Sequence, residues 1–268
     1  MRYVFALLII LLVGYFWISA AFSPTQEESS KSNMETEIDD QIEKWLGSDG
    51  AEQLELQLKI PAADVTIDKH DRGEALYAKF DYTDRWKEPE LIEELVNGRK
   101  KIQVKQDSDS WFGSGSGSRN KWQLSVNPEL EYHYDIKIGA GNLNLDLAET
   151  RTKTLSLSSG AASTNIDLSN SSIANLDLKT GAASITLDLS GTRENDLMAD
   201  IKGGVGSLKV TVPRDTGVQF RATGLGSISA PGFTRTNGYY RNDSWGNSDH
   251  KIKLDIAGGV GSVEVTEK

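Results

Sequence analysis

An all-β solenoid, a β-helix-like stack of 20–23-residue coils, is the fold this sequence predicts, preceded by an N-terminal transmembrane or signal helix. Three observations predict it. A glycine-anchored corner recurs six times in the C-terminal half, strands of period-two alternation flank most of these corners, and an uncharged apolar run fills residues 3–22. Composition agrees, because 25 glycines and an abundance of Ser, Asn, Asp and Thr disfavour helices.

The corners begin at Gly139, Gly160, Gly181, Gly204, Gly224 and Gly259, at intervals of 21, 21, 23, 20 and 35 residues. Each opens a segment such as GAGNLNL, GAASTNI, GAASITL or GVGSLKV. A unit of this size cannot bury its apolar face alone, so it must stack on neighbours about 4.8 Å away. Glycine suits a sharp corner where φ is often positive. Asn142, Ser163, Ser184, Ser207, Ser227 and Ser262 form a column of short polar residues able to bond neighbouring rungs. Leu145, Ile166, Leu187 and Val210 are expected to point inward as an aliphatic ladder. An antiparallel sandwich would not require one residue type at one corner in every unit.

Four segments follow from this reading. Residues 1–22 are a signal anchor or signal peptide: residues 3–22 carry no charge and match the length of a bilayer core of about 30 Å. Ser19, Ala20 and Ala21 suit signal peptidase, whereas Tyr15, Phe16 and Trp17 near the outer end suit an uncleaved anchor, the favoured reading. Residues 23–50 are an acidic linker, with eight acids against two lysines; Ile38, Ile42, Trp45 and Leu46 fall at helical spacing and predict a short amphipathic helix capping one solenoid end. Residues 51–138 form a less regular β region, with one or two helical turns expected from Pro89 to the Asn97-Gly98 stop. Residues 139–268 are the regular repeats, interrupted by an insertion at 231–249.

Charge and composition exclude several functions. Twenty-nine Lys+Arg against 39 Asp+Glu give a net charge of -10, which disfavours nucleic acid as a partner. With no cysteine there is no disulfide, thiolate metal site or thiol nucleophile. No cofactor, metal or catalytic set is indicated. The GGVGS turns at 203 and 258 lack the aspartate of calcium β-rolls and recur too rarely. His70, His133 and His250 lie in unrelated parts of the pattern. Asp146, Asp167 and Asp188, each seven residues after its corner glycine, form an outward acidic column, more simply read as solvated than as a cation site. Phe233, Tyr239, Tyr240 and Trp245 in the insertion are a candidate binding surface, against the simpler reading that they fold over the last coil.

The corner pattern, the WQLSVNP run at Trp122 leading to Ile138-Gly-Ala-Gly141, and the closing Asp243-Ser-Trp-Gly246 with GGVGS resemble the toast-rack family of bacterial surface domains. They are similar also to the extracytoplasmic domain of cell-wall-active-antibiotics response proteins of the LiaF type and to adhesin solenoids. The resemblance covers residues 50–268 and makes 51–138 the toast-rack N-terminal-like part. It implies a non-enzymatic cell-envelope module, structural, binding or adhesin-like, linked to envelope stress. The single apolar segment departs from the multi-span region of the LiaF type. Expected partners are the membrane, through the N-terminal helix, and cell-wall components or envelope proteins. The expected location is the cytoplasmic membrane with the domain on its extracytoplasmic side, or secretion if the signal is cleaved. The alternative function is a polysaccharide-active β-helix lyase or glycosidase using the Asp column, whose rung spacing could meet the separation that paired carboxylates need.

Overall fold

The computed structural model describes residues 39–107 and 119–268. The membrane segment expected at 1–22, the linker up to residue 38 and the Gly-Ser tip at 113–118 lie outside them. Among the described residues no helix is long and apolar enough to cross a membrane.

The described chain is built from strands and one 3-10 turn, Asp243–Gly246. Seven strands carry the repeat: β2 (Gln53–Lys69), β7 (Glu131–Asp146), β8 (Arg151–Asp167), β9 (Asn175–Asp188), β10 (Leu197–Val212), β11 (Gly217–Ser229) and β14 (Lys251–Glu267). Their lengths dictate their shape. β7 has 16 residues and pairs in parallel with β8, which begins only four residues after β7 ends. A straight strand of that length would run about 53 Å, and the connection can span only about 17 Å. Each long strand therefore folds back at its glycine corner into two arms, and one strand is one rung. The inner faces of the two arms meet in a single core.

Parallel register places the predicted columns side by side. Leu145, Ile166, Leu187 and Val210 are consecutive partners, continued by Val265, and all are buried. On the first arm the matching column is Leu56, Tyr134, Leu155, Leu176, Ala199, Leu254 and Phe220. Asn142, Ser163, Ser184, Ser207, Ser262 and Ser227 also stack, with Asn142 Nδ2 donating to Asp64 at 2.7 Å.

The corner glycines are required for a reason other than the expected one. Of the six, only Gly224 has a left-handed φ, 133°. A Cβ on Gly160, Gly181, Gly204 or Gly259 would instead lie 2.3–2.5 Å from the carbonyl oxygen of the preceding corner glycine in the stack, and one on Gly139 would lie 2.2 Å from that of Pro61. The rungs approach so closely there that the neighbour's backbone fills the side-chain volume.

Rung order departs from chain order at both ends. The sheet runs β1-β3-β6-β2-β7-β8-β9-β10-β14-β11-β13-β12, where β1 is Asp39–Leu46, β3 Leu76–Thr83, β6 Asn120–Val126, β12 Thr234–Thr236 and β13 Tyr239–Arg241. The C-terminal strand β14 is thus inserted between β10 and β11. At the other end β5 (Arg99–Lys105) and β6 pair with the first and second arms of β2, forming one split rung outside it. Stack order therefore differs from chain order: Gly204 neighbours Gly259, and Gly224 lies in the outermost rung.

Two expected helices are strands. The amphipathic helix around Ile42 is β1, paired along its whole length with β3. Apolar residues at 38, 42 and 46 are four apart, a spacing that fits both a helix and a strand face, and the open edge of β3 selects the strand. Leu46 is buried while Trp45, on the opposite face, is 41% exposed. The turns expected after Pro89 are β4 (Glu90–Val96), joined to β5 by Asn97-Gly98 with φ of 52° and 77°. That dipeptide is a type I′ hairpin turn and not a helix stop.

Lys100 fastens this end. Its Nζ is buried and donates to Gly47 O, Asp49 Oδ2 and Glu93 Oε2 at 2.6, 2.8 and 2.6 Å. Burial acts to lower its pKa, but the hydrogen bonds to Asp49 and Glu93 outweigh it and hold the ammonium above its ordinary value. Arg193 is a contrasting buried cation, in the connection between β9 and β10. It donates to Ile173 O, its Nε and Nη1 have no partner, and burial pushes its pKa down to about 10.

Gly181→Ala is expected to destabilise by about 3 kcal/mol, because backbone must move to admit the Cβ. Gly246→Ala, with nothing within 4 Å of its Cβ, is expected to stay within about 1 kcal/mol; urea denaturation of both compares them. Arg193→Met is expected to be neutral or stabilising by about 1 kcal/mol, since Asn195 also donates to Ile173 O and no carboxylate is left unpaired. A lowered denaturation midpoint in Arg193→Met would contradict this.

Candidate binding surface

The insertion aromatics divide into a cap and a rim. Phe220, fully buried in the outermost rung, stacks on Tyr240 at 4.6 Å and 4° and meets Phe233 edge-on at 5.3 Å. β13 brings Tyr240 there by pairing with Gln219 and Phe220. These two rings cover the last rung. Trp245 lies in the 3-10 turn, half-buried, with Arg241 and Lys251 cations 5.4 and 5.7 Å from its ring. Tyr239 borders a groove on the outer face of the first arms beside Arg221 and Asp255. The four aromatics therefore do not present one shared platform, and two are committed to packing.

The Asp column exists as a column, since Asp146 pairs with Asp167 and Asp167 with Asp188. Two of its three carboxylates close turns. Asp167 Oδ1 and Asp188 Oδ1 accept the backbone N–H of Ser169 and Ser190 at 2.9 and 2.8 Å. Lys69 lies 3.5 Å from Asp146, and Lys268 3.6 Å from Asp188. The histidines sit on different elements: His133 Nδ1 pairs with Thr154 Oγ1 at 2.9 Å, and His70 Nδ1 accepts the Arg72 N–H at 3.1 Å. Burial holds His70 below its ordinary pKa. Among the described residues no three His, Asp or Glu side chains are placed to hold a metal.

The surface with recognisable design is the outer wall of the first arms. Asp135, Asp177, Asp200 and Asp255 project from one column, and Lys59, Lys137, Lys179 and Lys202 from the next, nearer the corner. In three rungs, β7, β9 and β10, the pair is closed: Lys137–Asp135 3.0 Å, Lys179–Asp177 2.6 Å, Lys202–Asp200 2.8 Å. Arg221 closes onto Asp255 from the neighbouring rung. Like charges stacked about 4.8 Å apart would repel, and the pairing within each rung makes the ladder tolerable. Rung β8 interrupts it with Ser156 and Ser158. An open groove of about 1040 Å³ runs beside the lysine column, floored by Pro61, Gly139, Gly160 and Gly204. A second, of about 530 Å³, crosses Ser156, Asp177, Asp200 and Asp255. The pattern was readable as DIKIG, DLKTG and DIKGG, an Asp-x-Lys before three of the six corners, but nothing in those strings says the pairs align.

The family model described as the N-terminal domain of toast_rack, DUF2154, matches residues 24–173 and 154–211. The chain belongs to the toast-rack family. The two matches overlap at 154–173, as a repeated rung allows. A candidate cell adhesion protein from Clostridium sporogenes is similar to this toast-rack protein at 25% identity, over 86% of this chain and 100% of its own, with a TM-score of 0.67. A candidate adhesin from Bacteroides fragilis is more remote, at 8% identity over 85% and 97% of the two chains and a TM-score of 0.31. No curated protein matches the toast-rack chain.

Tyr240→Ala removes the ring stacked on Phe220 and is expected to cost about 2–3 kcal/mol. Tyr239→Ala is expected to cost less than about 1 kcal/mol, and thermal unfolding of the two separates cap from rim.

Proposed function

We propose that this toast-rack protein is a non-enzymatic cell-surface module that binds polar envelope or matrix components through the outer wall of its first arms. The observation that carries the reading is the Asp-x-Lys pair, repeated on β7, β9 and β10 along open grooves with the serine rung β8 between the first two. Such a wall offers donors and acceptors at multiples of the rung spacing of about 4.8 Å, with each Asp–Lys pair neutral. It suits a long hydroxylated polymer or an extended protein surface better than a small anion. The similarity to a candidate cell adhesion protein along nearly the whole chain supports the same reading. An N-terminal apolar tether at 1–22, placing the solenoid outside the cytoplasmic membrane, completes the proposal, and a surface module so placed could report envelope stress through what it binds.

Chemistry on the Asp column is the weaker reading. Asp167 and Asp188 are used as turn acceptors and Asp146 and Asp188 face lysines, so the column is held by its own turns and flanks.

The wall is tested by copying the native β8 rung, replacing Asp135, Lys137, Asp177, Lys179, Asp200 and Lys202 each by serine in the full chain. Retention on cell-envelope preparations is expected to fall about tenfold, equivalent to about 1.4 kcal/mol. Melting should change little, because exposed pairs contribute about 0–1 kcal/mol each. Undiminished retention of the folded variant removes the wall as the binding surface.

A further inference from the structure

The C-terminal end of the solenoid is unevenly closed. β13 pairs only with Gln219 and Phe220 of β11, and among the described residues no strand pairs the outer edge of residues 225–229. Other outermost strands carry charge: Asp39, Asp40 and Glu43 on β1, Glu90, Glu93 and Glu94 on β4, Arg235 on β12. Such charges discourage strand addition. Residues 225–229 read Leu-Gly-Ser-Ile-Ser and have none.

A cavity lies under the same edge. Along the inner corner the successive residues are Ile60, Ile138, Ser159, Thr180 and Gly203. Gly258 and Gly224 line the corner of the last two rungs. Side chains filling the corner thus shrink to nothing, leaving a space of about 80 Å³ walled by Ile201, Leu208, Ala222, Ile228, Ile256 and Val263. At the outermost rung its wall residue Ile228 is 40% exposed. Two or three times a water's share of about 30 Å³ accommodates an isopropyl group and not a ring.

We infer that the second arm of β11 is a docking edge for an extended peptide segment of a partner protein. The segment adds as one further strand, uncharged at its centre, and seats one valine-sized side chain in the cavity mouth. This names a binding site and ligand class for the surface module proposed above, and rests on that reading for its role. A second copy fits poorly: a five-residue edge falls well short of the roughly 1,200 Å² of a stable interface, and the β12–β13 cap projects past β11 on the adjoining arm. The chain's own N-terminal segment fits poorly too. Residues 23–38 offer only Met34 and Ile38 as large apolar side chains, and each stands beside a carboxylate, Glu35 or Glu37.

The test uses the full-length protein and a labelled synthetic peptide, Val-Gly-Ser-Val-Ser-Val-Thr, copied from residues 260–266 of β14 with Glu264→Ser. Saturable binding is expected, with amide-exchange protection confined to residues 225–229. Ile228→Lys, and a peptide with aspartate in place of its central valine, are each expected to weaken binding at least about tenfold, while the melting point of Ile228→Lys stays within about 3 °C. No saturable binding up to about 1 mM, protection on β1 or β4 instead, or a dimer in sedimentation that Ile228→Lys dissolves would each overturn the assignment. Envelope retention of wild type is measured in parallel. Retention without peptide binding removes this edge and leaves the surface-binding reading standing, and peptide binding without retention does the reverse.

Discussion

Close approach of successive backbones at the corner is the constraint on which the rest of this structure depends. A carbonyl oxygen occupies the volume where the next corner residue would carry its Cβ, so the column from Gly139 through Gly160, Gly181 and Gly204 to Gly259 cannot carry side chains. The fold-back at that corner gives each rung two arms, brings the arms' apolar faces together, and lets connections as short as four residues return the chain to the next rung. Burial of the aliphatic columns then holds rungs that would be unstable singly.

The same stacking rule governs the surface. Parallel register aligns identical residue types, which is favourable for leucine and serine columns and unfavourable for charged ones. The protein resolves this by placing lysine beside aspartate within a rung, by inserting the serine rung β8, and by letting the Asp146–Asp188 column cap turns and meet Lys69 and Lys268. Charge is therefore distributed as local pairs, although the chain as a whole carries -10. A surface of this kind favours contact along its length over reaction at a point.

The ends are where the repeat must stop, and they are built differently. At the N-terminal end β3, β1 and β4 cover the split rung, with Lys100 joining the β1–β2 turn to β4. At the C-terminal end Phe233 and Tyr240 close the first arm over Phe220, while among the described residues no strand pairs the outer edge of the second arm.

Repetition made much of this legible in the sequence. Six glycine corners and alternating strands determined a solenoid, the inward Leu145–Ile166–Leu187–Val210 ladder and the serine column, because each rung demands the same residue at the same place. What repeats only once could not be read that way. β1 was ambiguous because a four-residue spacing satisfies both periods, and Asn97-Gly98 became a hairpin turn because β5 lay beside it to pair. The insertion of β14 between β10 and β11 left no local signal, since a strand that fits one parallel neighbour fits another. Tertiary structure alone decided rung order, the alignment of the Asp–Lys pairs and which edge stayed open, because each depends on which backbone lies next in space.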